Sequence, residues 1–260
     1  RAIIVHALGS GVTKAEKTRM IMSATRQPLI IARTGRMANA LTGLGVKPGD
    51  RVAVQVEKSV EAITLYLATV RAGAVFLPLN TGYTPAEIDY FIGDAEPAIL
   101  VCDPVRQADL QETAGRAGAR LMTLDAAGGG SLTDAAAAAP DAFETVPRQA
   151  DDLAALLYTS GTTGRSKGAM LTHGNLVSNA QALREAWHYT DRDVLIHALP
   201  IFHTHGLFVA TNVTLFSGAS MIFLPKFDMD RIFEAMARAT VLMGVPTFYV
   251  RLLEDDLLNA

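Results

Sequence analysis

Apolar residues in this chain come in short β-branched bursts, separated by stretches in which they recur every three or four positions. Arg51–Val56 follows the turn Lys47-Pro-Gly-Asp50 and reads as a strand. Ser59 then caps a helix with Ile63, Tyr66, Leu67 and Val70 on one face. The cycle repeats: Val75–Leu79 predicts a strand, Thr84-Pro-Ala-Glu87 is a capping box with proline at the first helical position, and Ile88, Phe91 and Ile92 continue the apolar face. Ala98–Cys102 and Arg120–Leu124 predict further strands on either side of a helix over 105–117 that ends near Gly118. Gly128–Ser131 and Ala135–Pro140 read as a surface loop with an alanine-rich helical turn. The run Leu153–Leu157 predicts the next strand. Beyond it come a helix over Asn175–Trp187 carrying Leu176, Ala180, Leu183 and Trp187, strands at Asp193–His197, Ala219–Leu224 and Thr240–Gly244, and a helix over Ile232–Ala239.

Strands alternating with helices predict an α/β fold of mostly parallel, helix-covered sheets. Two sub-lobes are expected, 1–188 and 189–260. Such sheets bind ligands outside the carboxyl ends of their strands.

Composition sharpens this picture by exclusion. With 260 residues, 50% of them hydrophobic, the chain can bury a sizeable core. Lys and Arg number 23 against 26 Asp and Glu, a formal charge of -3, so no basic field favours nucleic acid or anionic lipid. No apolar run approaches the roughly 20 residues that span a bilayer. The apolar start Arg1–Leu8 is too short for a signal peptide, and the chain does not begin with Met. The lone Cys102, within Ile-Leu-Val-Cys-Asp, excludes an intramolecular disulfide and reads as a buried strand thiol; a reducing cytoplasm is the expected compartment.

The chemistry concentrates in residues 158–168, Y-T-S-G-T-T-G-R-S-K-G. Glycines reach backbone angles that a Cβ forbids, so successive N–H groups can turn inward on an anion, while hydroxyls add donors and lysine adds a point charge. Clusters of this composition are more often plain surface turns. Here the donors follow directly on an apolar strand, which favours a phosphate cradle. A Walker A loop needs glycine before its lysine and Ser or Thr after it, whereas Ser166 precedes Lys167 and Gly168 follows.

Tyr158–Gly168 resembles the signature loop of the adenylate-forming ligases, the superfamily of acyl-CoA synthetases, firefly-type luciferases and peptide-synthetase adenylation domains. Leu199–Leu207, L-P-I-F-H-T-H-G-L, is similar to the family's acyl-pocket segment, and Gly244–Tyr249, G-V-P-T-F-Y, to a third family motif. The resemblance runs from about Gly35 to the end, and residues 1–35 show little of it. It implies ATP, magnesium and coenzyme A, with a carboxylic acid attacking the α-phosphorus and the acyl-adenylate passing to a thiol. It also implies that Thr159, Ser160, Thr162, Thr163 and Lys167, shaped by Gly161 and Gly164, grip the phosphates, with Thr162 at the metal. His203 and Lys167 are the implied catalytic residues, and His203, Thr204 and Arg238 the implied acyl-pocket set. His205 would share a face with His203 on a strand, but H-T-H lacks a third metal ligand at a diagnostic spacing.

His197–Phe216, Phe223–Asp228 and Leu79–Thr84 are more similar to malonyl-CoA synthetases than to long-chain ligases, and malonate's distal carboxylate would need a partner such as an arginine. Members of this superfamily are longer. Their Y-G-x-T-E and T-G-D segments and mobile C-terminal lid domain are absent from these 260 residues. The expectation is therefore a partial N-terminal domain, inactive alone, with a homo-oligomer or the remaining half of such an enzyme as partner. A non-catalytic nucleotide-binding remnant, a nucleotide hydrolase, and a ligase for another short-chain or aryl acid are the alternatives.

Overall fold

The computed structural model of this chain describes residues 5–7, 27–159 and 166–255. They fall into two compact units, residues 28–178 and residues 1–27 with 179–260. In chain order the strands are β1 (Val5–Ala7), β2 (Arg51–Gln55), β3 (Val75–Pro78), β4 (Ile99–Cys102), β5 (Arg120–Thr123), β6 (Leu153–Thr159), β7 (Lys167–Thr172), β8 (Val194–His197), β9 (Ser220–Phe223) and β10 (Val241–Met243). The first unit holds a six-stranded sheet in the order β5-β4-β2-β3-β6-β7, parallel except for β7, which runs antiparallel to β6. The second holds a four-stranded, all-parallel sheet in the order β1-β9-β8-β10. The change of unit at 178/179 falls inside a helix, and β1 joins the second unit's sheet.

Helices α1 (Gln27–Gly43), α2 (Val60–Arg71), α3 (Pro85–Ala95), α4 (Gln107–Arg116) and α5 (Ser131–Ala137) belong to the first unit. The Ser59 hydroxyl caps α2 by accepting from the Ala62 N–H. Leu67 and Val70 are only half-buried, whereas Ala62, Ile63, Leu65, Tyr66 and Ala68 are buried. The buried face is therefore broader than a single stripe. Small alanines on it let the helix approach its neighbours closely.

Helix α3 is stopped and started as its sequence dictates. The capping box is complete, with the Thr84 hydroxyl accepting from Glu87 N–H and the Glu87 carboxylate accepting from Thr84 N–H, and Glu96 closes the helix in the left-handed region at φ 43°. Its face of Ile88, Phe91 and Ile92 packs with Leu77, Leu100 and Leu110 in the main core. Each such side chain contributes about 1.5–3 kcal/mol by leaving water.

Residues 131–137 form a helix where a loop and a turn are expected. Thr123 and Ser131 exchange hydrogen bonds that tie its start to the end of β5, and Leu132 and Ala136 are buried. Gly130 permits this approach, because a Cβ there would lie 2.3 Å from Thr123 O.

Helix α6 (His173–Ala186) carries the chain from one unit to the next, followed by α7 (Asn212–Ser217), α8 (Met229–Met236) and α9 (Pro246–Leu253). Of its expected face only Ala180 is fully buried; Leu176 and Leu183 are half-buried and Trp187 is exposed. Cys102 is buried in β4, and desolvation, with Asp103 nearby, raises its thiol pKa to about 11. Among the described residues no helix is long and apolar enough to cross a membrane.

Candidate functional site

In the first unit the motif's flanks form the stem between β6 and β7. Thr159 pairs with Lys167 and Tyr158 with Gly168 in the antiparallel register, so Thr159 and Lys167 face each other where β6 ends. The Thr159 hydroxyl points along this pair, 3.5 Å from Lys167 O. Lys167 and Thr159 are exposed. Ser160, Gly161, Thr162, Thr163 and Gly164 lie outside the described residues.

Tyr158 opens the motif yet belongs to the core, 8% exposed, with its ring 4.5 Å from that of Phe91. Its hydroxyl donates to Asp94 Oδ2 at 2.5 Å. Desolvation, followed by this bond, raises its pKa well above the ordinary tyrosine value. Tyr90, one turn earlier on α3, donates its hydroxyl to Ser166 O at 3.0 Å.

Two residues beside this sheet escape motif-based reading. The connection from β2 runs outward to β3 and that from β4 outward to β5 on the opposite side, so the crevice past the carboxyl ends of β2 and β4 is a topological switch point. Gln55, at the end of β2, donates its amide to Asn80 O and ties the ends of β2 and β3 together. Lys58 follows three residues later, 8% exposed, and burial lowers its ammonium pKa well below the ordinary value. The signal in the sequence is a charge set between a strand and a capped helix, Val-Glu-Lys-Ser-Val.

In the second unit the segment Leu199–Leu207 is not a strand. It turns after β8 and enters a π-helical stretch, His205–Thr211, so His203 and His205 do not share a strand face. Buried His197 anchors it: Nε2 lies 2.9 Å from Gly206 O, which can only accept, so that nitrogen donates. Thr211 Oγ1 donates to the same carbonyl. Wider π turns of this kind are frequent at functional sites.

His203 and Thr204 are exposed. Partial desolvation lowers the His203 pKa, and the ring stands edge-on to Phe202 at 4.5 Å. Arg238 lies exposed in the turn after α8. A cavity of about 370 Å³ in this unit is lined instead by His205 with Trp187, His188, Tyr189 and Asp193, and by Val241–Gly244 and Tyr249. It therefore brings together two of the three matched segments, through His205 and through Gly244 and Tyr249. The Tyr249 hydroxyl accepts from Gly244 N–H and donates to Leu242 O, holding that turn closed. His203, Thr204 and Arg238 are not on its wall.

The architecture is that of an open α/β protein with a glycine- and hydroxyl-rich connection at a strand's carboxyl end, a class built to receive ligands there. The chain belongs to the AMP-binding enzyme family, whose model matches residues 31–259. It is 31% identical to a malonate–CoA ligase of Arabidopsis thaliana over 85% of this chain and 38% of that protein. It is 37% identical to a feruloyl-CoA synthase of an Amycolatopsis species over 95% and 46%. Among solved structures, ATP-bound MatB from Rhodopseudomonas palustris matches at 60% identity and a TM-score of 0.88, covering 98% of this chain and 48% of that one. A long-chain-fatty-acid–CoA ligase of Archaeoglobus fulgidus, FadD1, shares the fold at 24% identity and a TM-score of 0.85. The chain thus spans about half the length of the proteins it matches.

Proposed function

We propose that this chain supplies the phosphate-gripping and part of the acyl-binding machinery of an AMP-forming acid–thiol ligase, with malonate as the acid. Carboxylate and ATP are both anionic, so attack of a carboxylate oxygen on the α-phosphorus requires that phosphate charge be neutralised as pyrophosphate leaves. In this reading Thr159 and Lys167, facing each other across the stem, hold those phosphates together with Ser160, Gly161, Thr162, Thr163 and Gly164. Magnesium arrives with ATP as the Mg-ATP substrate and meets the chain at Thr162, since such ions keep most of their waters and bind through phosphates. His203 and Thr204 line the approach to the reacting carboxylate, Arg238 pairs the distal carboxylate of malonate, and coenzyme A takes the acyl group from the adenylate.

The observation that carries this reading is the stem itself: a hydroxyl and a lysine brought opposite each other at the end of a sheet strand, in a chain 60% identical to an ATP-bound MatB. Its test is pyrophosphate release from ATP, with and without malonate, by the chain alone and by the chain joined to the second half of that MatB. Malonate-dependent release by the joined protein, reduced at least tenfold by Lys167→Ala, is expected. Release indifferent to both malonate and Lys167 would sink the reading.

One observation favours a second acid. The 370 Å³ cavity has aromatic walls in Trp187, Tyr189 and Tyr249, and its lining includes Asp193 but no Lys or Arg. An aryl acid suits such walls better than a dianion does, in keeping with the likeness to a feruloyl-CoA synthase. A panel of malonate, acetate, benzoate and ferulate on the joined protein separates the two.

A further inference from the structure

We infer that helix α3 is a brace for the motif's stem, and that Tyr90 and Asp94 are positioning residues that set where Thr159 and Lys167 stand. The inference rests on the reading of the stem as a phosphate grip and extends it to residues outside the motif.

Strand β7 has a structural problem. Among the described residues it is the edge of its sheet, paired on one side only, and Lys167–Met170 are exposed. An edge strand held by one ladder frays from its ends. The end at issue is its first residue, Lys167, whose ammonium must stay in one place to act on a phosphate. The ladder alone gives it one neighbour, Thr159.

Helix α3 supplies the missing constraint from outside the sheet. Tyr90 and Asp94 are four residues apart and lie on one helical face. One grips each side of the stem: Asp94 accepts from the Tyr158 hydroxyl on the β6 side, and the Tyr90 hydroxyl donates to Ser166 O on the β7 side, one residue before Lys167. The Tyr90, Phe91 and Tyr158 rings fill the space between, with centroids 4.5 to 6.3 Å apart. The helix can bear this load, because Ile88, Phe91 and Ile92 bury it in the core and Asp89 binds it to Arg116 and Thr113 of α4. The bond to Ser166 uses a backbone carbonyl, so it is independent of the side chain at that position.

Tyr90→Phe deletes one hydroxyl and keeps the ring; Asp94→Asn keeps an acceptor for Tyr158 but removes its charge. Hydrogen–deuterium exchange on peptides covering 166–172 reads the stem, and calorimetry with Mg-ATP and with adenosine reads the grip. For Tyr90→Phe, exchange at the start of β7 should rise about fivefold, as expected for one lost hydrogen bond between neutral groups. Exchange in β2, β3 and β4 should stay unchanged. The Mg-ATP dissociation constant should rise by a similar factor and adenosine binding should hold, while Asp94→Asn should raise both exchange and the dissociation constant in the same direction, since a neutral acceptor replaces a charged one.

Unchanged β7 exchange overturns the brace, as does acceleration spread evenly over the first unit. Wild-type protein that binds no Mg-ATP, while its stem still loosens in Tyr90→Phe, overturns the phosphate reading and with it the assigned purpose of the brace. The exchange data show which of the two has failed.

Discussion

Gly206→Ala adds one methyl group at the entrance of the π-helical stretch, and the structure says where it would go. The new Cβ would lie 2.0 Å from Pro200 O, 2.9 Å from Pro200 C and 3.2 Å from Leu199 Cβ. A carbon settles about 3.3–3.6 Å from a carbonyl oxygen, so two stretches of backbone must part by more than 1 Å. Neither is the end of a flexible side chain. Overpacking of this kind costs about 1–3 kcal/mol. Gly206 O also accepts from His197 and Thr211, both buried, and losing one of those bonds adds about 1 kcal/mol, for about 2–4 kcal/mol in all.

The chain's one tryptophan, Trp187, lies in the same unit, so its fluorescence follows urea unfolding there. The expected result is a lower midpoint at unchanged slope. Gly93→Ala is the matched control: it lies within α3, where the added Cβ meets nothing within 4 Å, and it should stabilise the first unit by about 0.5–1 kcal/mol, followed by far-ultraviolet circular dichroism. Two substitutions that shift stability in the same direction would refute the reasoning from space.

Phe91→Ala should cost the first unit about 3–5 kcal/mol, because the ring is 2% exposed and packs against Tyr83, Tyr90 and Tyr158; urea unfolding measures it. Cys102, with its thiol raised to about 11 by burial, should resist iodoacetamide at pH 8 in the folded protein and react once urea is added; labelling at equal rates in both states would contradict that burial. The Thr84 N–H and hydroxyl hold the Glu87 carboxyl below its ordinary pKa. A depressed carboxyl stabilises the fold fully above its unfolded value, about 4.3, and loses that contribution as pH falls through the lowered one. The gap in urea midpoint between wild type and Glu87→Gln should therefore narrow as the pH is taken from 6 toward 3.

Local chemistry that closes within a few residues was readable from sequence. The Ser59 cap, the Thr84–Glu87 box and the buried Ile88, Phe91 and Ile92 face all appear as expected, because each depends on spacing along one helix. Features decided by distant partners were not. Helix α5 forms because Thr123 and Ser131 meet across a glycine turn, Lys58 is buried by its setting past a strand end, and Leu199–Leu207 curls into a π turn around His197. The pattern names His203, Thr204 and Arg238 for the acyl pocket, and the turn of that same segment sets His205 on the wall of the 370 Å³ cavity.

Tyr158 holds two offices at once, the first letter of a chemical signature and a member of the first unit's interior. A survey of variants scored by folded yield would rank it with Phe91, and one scored by turnover would rank it with Lys167. Only the difference between the two scores would sort the signature's eleven letters into those that build the platform and those that act from it.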